Sequence, residues 1–235
     1  MIKNFNNFNE AKEVKDAKTF TGWLKSNKPI RSERLLNQAQ REHEESPEVN
    51  GEASPNVMPA MVFTDVVGSS KLWSDDPVNM AEQLEQHHDL IDSLAKKHRG
   101  WIVKTIGDAF MVYFEPSDKS LYNALNFSKE AIEKETKYNI RVGVCTGNMN
   151  NKTYSIQNVQ LKDFFGNAVN TASRMESKVA APNGIAFTSV KPIPNIVLND
   201  IQSKFGELEV VNNLELNGVK VKSAYKIPVE SGTNK

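Results

Sequence analysis

AMVFTDVVGSSKLW, residues 60–73, runs from an apolar segment, Met61-Val62-Phe63, through an acid, Asp65, into a loop of small residues, Val66 to Ser70, ahead of a predicted helix. A strand that ends in a carboxylate and passes through such a loop into a helix can hold a divalent cation beside phosphates. The acid ligates the cation, while the loop amides and the helix N-terminus face the anion. Asp65 is therefore a candidate metal ligand, and Val66, Val67, Gly68, Ser69 and Ser70 are the candidate phosphate-facing backbone. An ordinary strand-to-helix turn has the same local pattern, so a second acid must decide between the two.

WIVKTIGDAFMVYF, residues 101–114, supplies that acid. It reads as strands over about 101–106 and 109–114 around Gly107-Asp108, a two-residue loop of the kind that closes a hairpin. Asp108 then sits at a tight tip, from which its carboxylate can project towards a neighbouring strand end. Two-metal phosphoryl chemistry needs carboxylates able to bridge ions about 3.5–4 Å apart. An apolar strand ending in one aspartate, beside a hairpin tipped by another, has the parts for it. Asp108 taken alone would be ordinary turn chemistry.

With these two pieces placed, the chain resembles the class III nucleotidyl cyclase catalytic domain, the adenylate and guanylate cyclases. FTDVVGSS (63–70), VKTIGDAFM (103–111), RVGVCTG (141–147) and DFFGNAVNTASRMES (163–177) stand in the family's order, over about Pro59 to Lys226. Leu72-Trp73, Pro77 and Met80 look like the fungal and kinetoplastid branch. The resemblance implies two Mg²⁺ or Mn²⁺ ions on Asp65 and Asp108, and adenylate cyclase activity, ATP to 3′,5′-cyclic AMP and pyrophosphate. It further implies that Asn170 orients the ribose and that Arg174 stabilises the pentavalent phosphorane. Lys104 and Asp163 match its base-reading pair, in the Lys–Asp form associated with adenine, where guanylate cyclases favour Glu and Cys. Arg141 matches an arginine that contacts the terminal phosphates. Metal acids and the Lys–Asp–Asn–Arg set come from different protomers in the family, and this chain carries both, so a homodimer with shared active sites is expected. One position departs: Leu216-Asn217-Gly218 stands where the family usually has a lysine before the glycine, with Lys220 and Lys222 on the next predicted strand.

The residues themselves support several of these roles. On a helix predicted from about Gly166 to Ala180, Val169, Ala172, Met175 and Val179 make a buried stripe, and Asn170 and Arg174, four apart, share another patch. Arginine's fixed fork of donors suits charge spread over several oxygens. Lys104 lies among Ile102, Val103 and Ile106, and a buried ammonium there would call for a partner. A carboxylate at Asp163 can accept from adenine's N6 amine, while a lysine donates to a ring nitrogen.

The remaining organisation follows in chain order. Residues 1–57 are expected to be an extension, with a short helix over Ala11–Ser26 and a linker rich in Glu, Gln, Ser, Asn and Pro over Gln38–Val57. Residues 58–228 are expected to form the catalytic domain and 229–235 a tail. A first strand (Pro59–Phe63), a helix (Pro77–His98), the hairpin, a helix (Leu121–Lys134) and a strand (Asn139–Thr146) give βαββαβ. The fold class is therefore α+β, a ferredoxin-like palm with helices on one face. Asn148–Lys162 reads as an arm or hairpin, and strands near 184–188, 206–211 and 219–227 complete the domain. His87, His88 and His98 lack the spacing of metal ligands on a helix and read as surface or packing side chains.

Lys plus Arg and Asp plus Glu both number 29 in 235 residues, which points neither to nucleic acid nor to an anionic membrane. The single cysteine, Cys145, lies in an apolar strand and suits a packed thiol in a reducing cytoplasm. The longest apolar runs fall short of the roughly 20 residues that span a bilayer. Among other readings, an RNA-binding palm would need aromatics and a basic face on its central strands, and a diguanylate cyclase would need a GGDEF-like signature. A silent cyclase homology domain, or a cyclase making a guanine or pyrimidine cyclic nucleotide, stays open at this point.

Overall fold

The computed structural model describes residues 57–156 and 159–230. The expectations for residues 1–56 and for the last five residues lie outside that range. Strand β1 (Met58–Val66) lies inside the sheet, and residues on both of its faces are buried. It is followed by α1 (Ser69–Asp75), α2 (Pro77–Lys97), β2 (Gly100–Ile106), β3 (Ala109–Ser117), α3 (Ser120–Lys134) and β4 (Ile140–Thr146). Both neighbours of β1, β3 and β4, run antiparallel to it, and β2 pairs antiparallel with β3. The strand order β2-β3-β1-β4 is the expected ferredoxin-like palm.

The arm is a two-stranded sheet, β5 (Asn150–Ile156) with β6 (Val159–Phe165), and its outer part, residues 153–161, falls outside the compact unit formed by the other described residues. Beyond it come α4 (Asn167–Arg174), a π-helical turn (Met175–Val179), β7 (Gly184–Ser189), α5 (Asn195–Phe205), β8 (Glu209–Leu216) and β9 (Val219–Pro228). These strands extend the palm to seven in the order β2-β3-β1-β4-β7-β9-β8, with β7 parallel to β4.

Two apolar layers sandwich the sheet. Ala60 and Val62 of β1, Phe110, Val112 and Phe114 of β3, and Val142 and Val144 of β4 face α2 and α3 through Ile91, Leu94, Leu125, Phe127 and Ile132. Met61, Met111, Tyr113 and Cys145 point the other way and pack with Phe164 of β6 and with Ala168, Val169 and Ala172 of α4. Burial of Val169 contributes about 1.5–3 kcal/mol, and the small Ala168 and Ala172 are fully buried where α4 meets the sheet.

Several elements differ from expectation, among them the strand expected near 206–211, which lies at Glu209–Leu216. The loop after β1 is shorter than Val66–Ser70, since the strand runs through Val66 and α1 begins at Ser69. Gly68, at φ 74°, makes the turn that permits this. The helix expected over 166–180 ends as an α-helix at Arg174 and continues as the π turn. Helix α5 was not expected. Its signals are nonetheless in the sequence: Pro194 before it, Val197, Ile201 and Phe205 four apart, and Gly206 after it.

Candidate active site

The end of β1 brings the two aspartates together. Asp65 lies opposite Arg141 in the β1–β4 register. The β2–β3 turn, with Gly107 at φ 67°, swings Asp108 back onto the next residue of β1, where its Oδ2 accepts the Val66 amide at 3.2 Å. Asp108 is buried although it stands at a hairpin tip, and Asp65 is half-buried. Val66 to Ser70 follow directly, and no side chain caps the start of α1.

Arg141 is held between two carboxylates. Its Nη2 donates to Asp65 Oδ2 at 2.7 Å and its Nε to Glu176 Oε1 at 2.5 Å. Burial disfavours its charge, but hydrogen bonding to Asp65 and the nearby charge of Glu176 outweigh that and raise its pKa. Glu176 is the residue that sequence reasoning missed. It lies on the π turn, 35 residues from Arg141, and is buried. Burial is the main cause that holds its carboxyl above the ordinary range, with Arg141 opposing and Asp65 and Asp108 adding to it as like charges. The only signal in the sequence was an acid two positions beyond Arg174.

Asp65 and Glu176 flank the Arg141 guanidinium, and Asp108 is held at the amide beside Asp65; carboxylate oxygens of this kind suit a hard divalent cation. Among the described residues no set of three or more His, Cys, Asp or Glu side chains is gathered to hold a metal unaided. The fit is that of a two-aspartate site completed by phosphate and water oxygens, which is how Mg²⁺ is commonly bound. Asp65 and Asp108 would hold the ions there.

A second grouping forms across β2 and β6. Lys104 Nζ donates to Asp163 Oδ2 at 2.6 Å. The expectation that burial forces this pairing is corrected: the Lys104 side chain is 42% exposed and that of Asp163 is 33% exposed. A bulge between Ile102 and Lys104 alters the alternation that would have buried the lysine. Helix α4 begins four residues after Asp163, with Asn170 exposed on it and Arg174 one turn further, half-buried. Arg174 Nε is buried without a hydrogen-bond partner.

Asn217 and Gly218 are the tip of the β8–β9 hairpin, at φ 47° and 86°. Asparagine tolerates that left-handed conformation better than lysine does, a local reason for the missing lysine. Lys220 and Lys222 are exposed on β9. Cys145 is fully buried, and desolvation pushes its thiol up to about 12, so it packs rather than reacts. No helix among the described residues is long and apolar enough to cross a membrane.

A family model for the adenylate and guanylate cyclase catalytic domain matches residues 52–227. The adenylate cyclase of Schizosaccharomyces pombe is 25% identical over 182 residues, covering 68% of this chain and 11% of that protein. A receptor-type adenylate cyclase of Trypanosoma brucei brucei, ESAG 4, is 36% identical over 70 residues, 30% of this chain and 5% of its own length. This chain thus spans a small part of the curated relatives it matches. Among solved structures, the catalytic core of a rhodopsin-guanylyl cyclase with converted specificity, in complex with ATPαS, superposes with a TM-score of 0.61 at 24% identity, covering 76% of this chain and 99% of that one. The adenylyl cyclase CyaB from P. aeruginosa gives 0.61 at 19% identity, covering 74% of this chain and 95% of that one. These two likenesses concern the fold.

Proposed function

We infer the reaction from one premise: this chain belongs to the family of adenylate and guanylate cyclase catalytic domains. The reading is an adenylate cyclase that converts ATP to 3′,5′-cyclic AMP and pyrophosphate. The ribose 3′-oxygen forms a bond to the α-phosphorus, the bridging bond to the β-phosphate breaks, and the hydroxyl proton passes to water. The observation that carries this is the convergence of Asp65 and Asp108, with Asp108 hydrogen-bonded to the amide beside Asp65.

Bound Mg²⁺ or Mn²⁺ would supply Lewis acidity at the 3′-hydroxyl and the α-phosphate. The chain's own residues do the rest. Asp65 and Asp108 would hold the ions, and the amides of Gly68, Ser69 and Ser70 would face the phosphates, because those of Val66 and Val67 are taken by Asp108 and by the Asn139 carbonyl. Arg141, already parked between Asp65 and Glu176, keeps its charge beside the phosphate tail. Asn170 orients the ribose, and Arg174 meets the charge that develops on the transferring phosphoryl group.

The preference for ATP over GTP rests on the Lys104–Asp163 ion pair. Asp163 accepts from the adenine amine and Lys104 donates to a ring nitrogen, whereas guanine would set a carbonyl against the carboxylate. Two chains related by a twofold axis would each lend half of every site, with the two-aspartate grouping from one and the α4 and Lys–Asp grouping from the other. A cytoplasmic setting is part of the same reading.

Incubating purified protein with ATP, GTP, CTP and UTP in Mn²⁺, and separating the products, tests both activity and base choice. Cyclic AMP should dominate. No cyclic product from any nucleotide would favour a silent regulatory domain, and a preference for another base would overturn the adenine assignment.

A further inference from the structure

Helix α2 reaches the hairpin tip through a histidine. His88 is buried, and its Nε2 lies 3.2 Å from the carbonyl oxygen of Gly107. A carbonyl can only accept, so Nε2–H donates and the tautomer is set. The ring stands edge-on to Phe110 of β3, with centroids 4.7 Å apart and planes at 74°. Its neighbour His87 is fixed as well, since Nδ1–H donates to the buried Glu135 at 2.6 Å and its ring meets Phe110 and Tyr138 edge-on. The helix therefore presents His88 from a rigid base.

What else holds the tip shows what this contact does. The β2–β3 pairing ends at Ile106 with Ala109. Ile106 is 59% exposed, and a Cβ added at Gly107 would meet nothing within 4 Å. The tip thus projects into open space, anchored by the Asp108–Val66 hydrogen bond on one side and the Gly107–His88 hydrogen bond on the other. The first anchor uses an oxygen of the same carboxylate that a divalent cation would draw on. The second is independent of it.

We propose that His88 is a positioning residue for Asp108: by clamping the Gly107 carbonyl to α2, it keeps the tip carboxylate beside the end of β1 when a cation takes that carboxylate. The role in metal binding rests on the two-aspartate reading of the site. The competing role for His88 is a ring that merely fills the core against Phe110.

His88→Phe keeps an aromatic ring and removes the donor, while His88→Gln keeps a donor of similar reach. Amide hydrogen exchange on metal-free full-length protein, and Mn²⁺ affinity by paramagnetic resonance titration, are the readouts. Loss of one hydrogen bond should speed exchange at Val66, whose amide donates to Asp108, and weaken Mn²⁺ binding in His88→Phe, each by roughly 3- to 10-fold. His88→Gln should recover most of both. A folded His88→Phe with wild-type exchange at Val66 and wild-type Mn²⁺ affinity overturns the proposal, as does a His88→Gln that is no better than His88→Phe. If His88→Phe fails to fold, His88→Met carries the same comparison. Wild-type protein that binds no Mn²⁺ would sink the two-aspartate site itself, and exchange at Val66 alone would then decide whether His88 holds the hairpin.

Discussion

Replacing Gly143 with alanine should separate the sheet from the helix that carries Asn170 and Arg174. Gly143 lies on β4 between Phe63 of β1 and Ala186 of β7, on the same face as Arg141 and Cys145. A Cβ there would stand 2.1 Å from the Glu176 amide nitrogen, 2.3 Å from the Ala172 carbonyl oxygen and 2.7 Å from the Glu176 Cα. Comfortable contact between such atoms needs about 3.5–4 Å, so the end of α4 must retreat by more than roughly 1 Å. All three are backbone atoms, and no rotamer change relieves the clash. Overpacking of this kind costs about 1–3 kcal/mol, and the upper end is expected here. For a domain of this size that is a fall in melting temperature of about 6–12 °C. The surviving folded protein should also turn over slowly, because a displacement near 1 Å in a positioning element can cost about 10²-fold. Thermal melting and the rate of cyclic nucleotide formation in Mn²⁺ measure the two effects. A variant that melts with the wild type and keeps its rate would refute the claim that this close approach sets the position of α4.

Asp65→Asn and Asp108→Asn should each reduce Mn²⁺-dependent turnover to background while leaving the melting temperature near wild type, and wild-type rates in either would remove the metal assignment. Mixing Asp65→Asn with Arg174→Ala should restore activity, because one site of the mixed dimer then has both halves intact; a dead mixture with heterodimers present would exclude shared sites. Lys104→Glu with Asp163→Cys should move preference from ATP towards GTP by roughly 5- to 150-fold, the worth of about 1–3 kcal/mol of mismatched polar contact, whereas equal loss on both nucleotides would mean the pair does not read the base. Burial, the largest influence on Glu135, pushes its pKa up from 4.5, but the hydrogen bond from His87 and the amides of Lys137 and Tyr138 outweigh it and lower the value. A depressed carboxyl contributes stability that is present above its unfolded value and lost as pH falls through the folded one. Denaturant unfolding of the wild type should therefore weaken more steeply below pH 4.5 than that of Glu135→Gln, and parallel curves would show that Glu135 contributes nothing there.

Local pattern was enough for the palm and for the two aspartates. Strand alternation around Met61–Phe63, the Gly107-Asp108 turn and the helical stripe through Val169, Ala172 and Met175 are written within a few residues of chain, where backbone geometry fixes which side chains share a face. Helix α5 is equally local, marked by Val197, Ile201 and Phe205 four apart. Tertiary structure alone decided the rest. That Glu176 reaches Arg141 depends on a π turn lying against Gly143, and that His88 holds Gly107 depends on how α2 crosses the sheet. The exposure of Lys104 turns on a single bulge in β2. The first two contacts join segments 35 and 19 residues apart in sequence, and the Lys104–Asp163 pair joins segments 59 apart. No periodicity within one segment carries such information, because the geometry arises only when close-packed layers settle against each other.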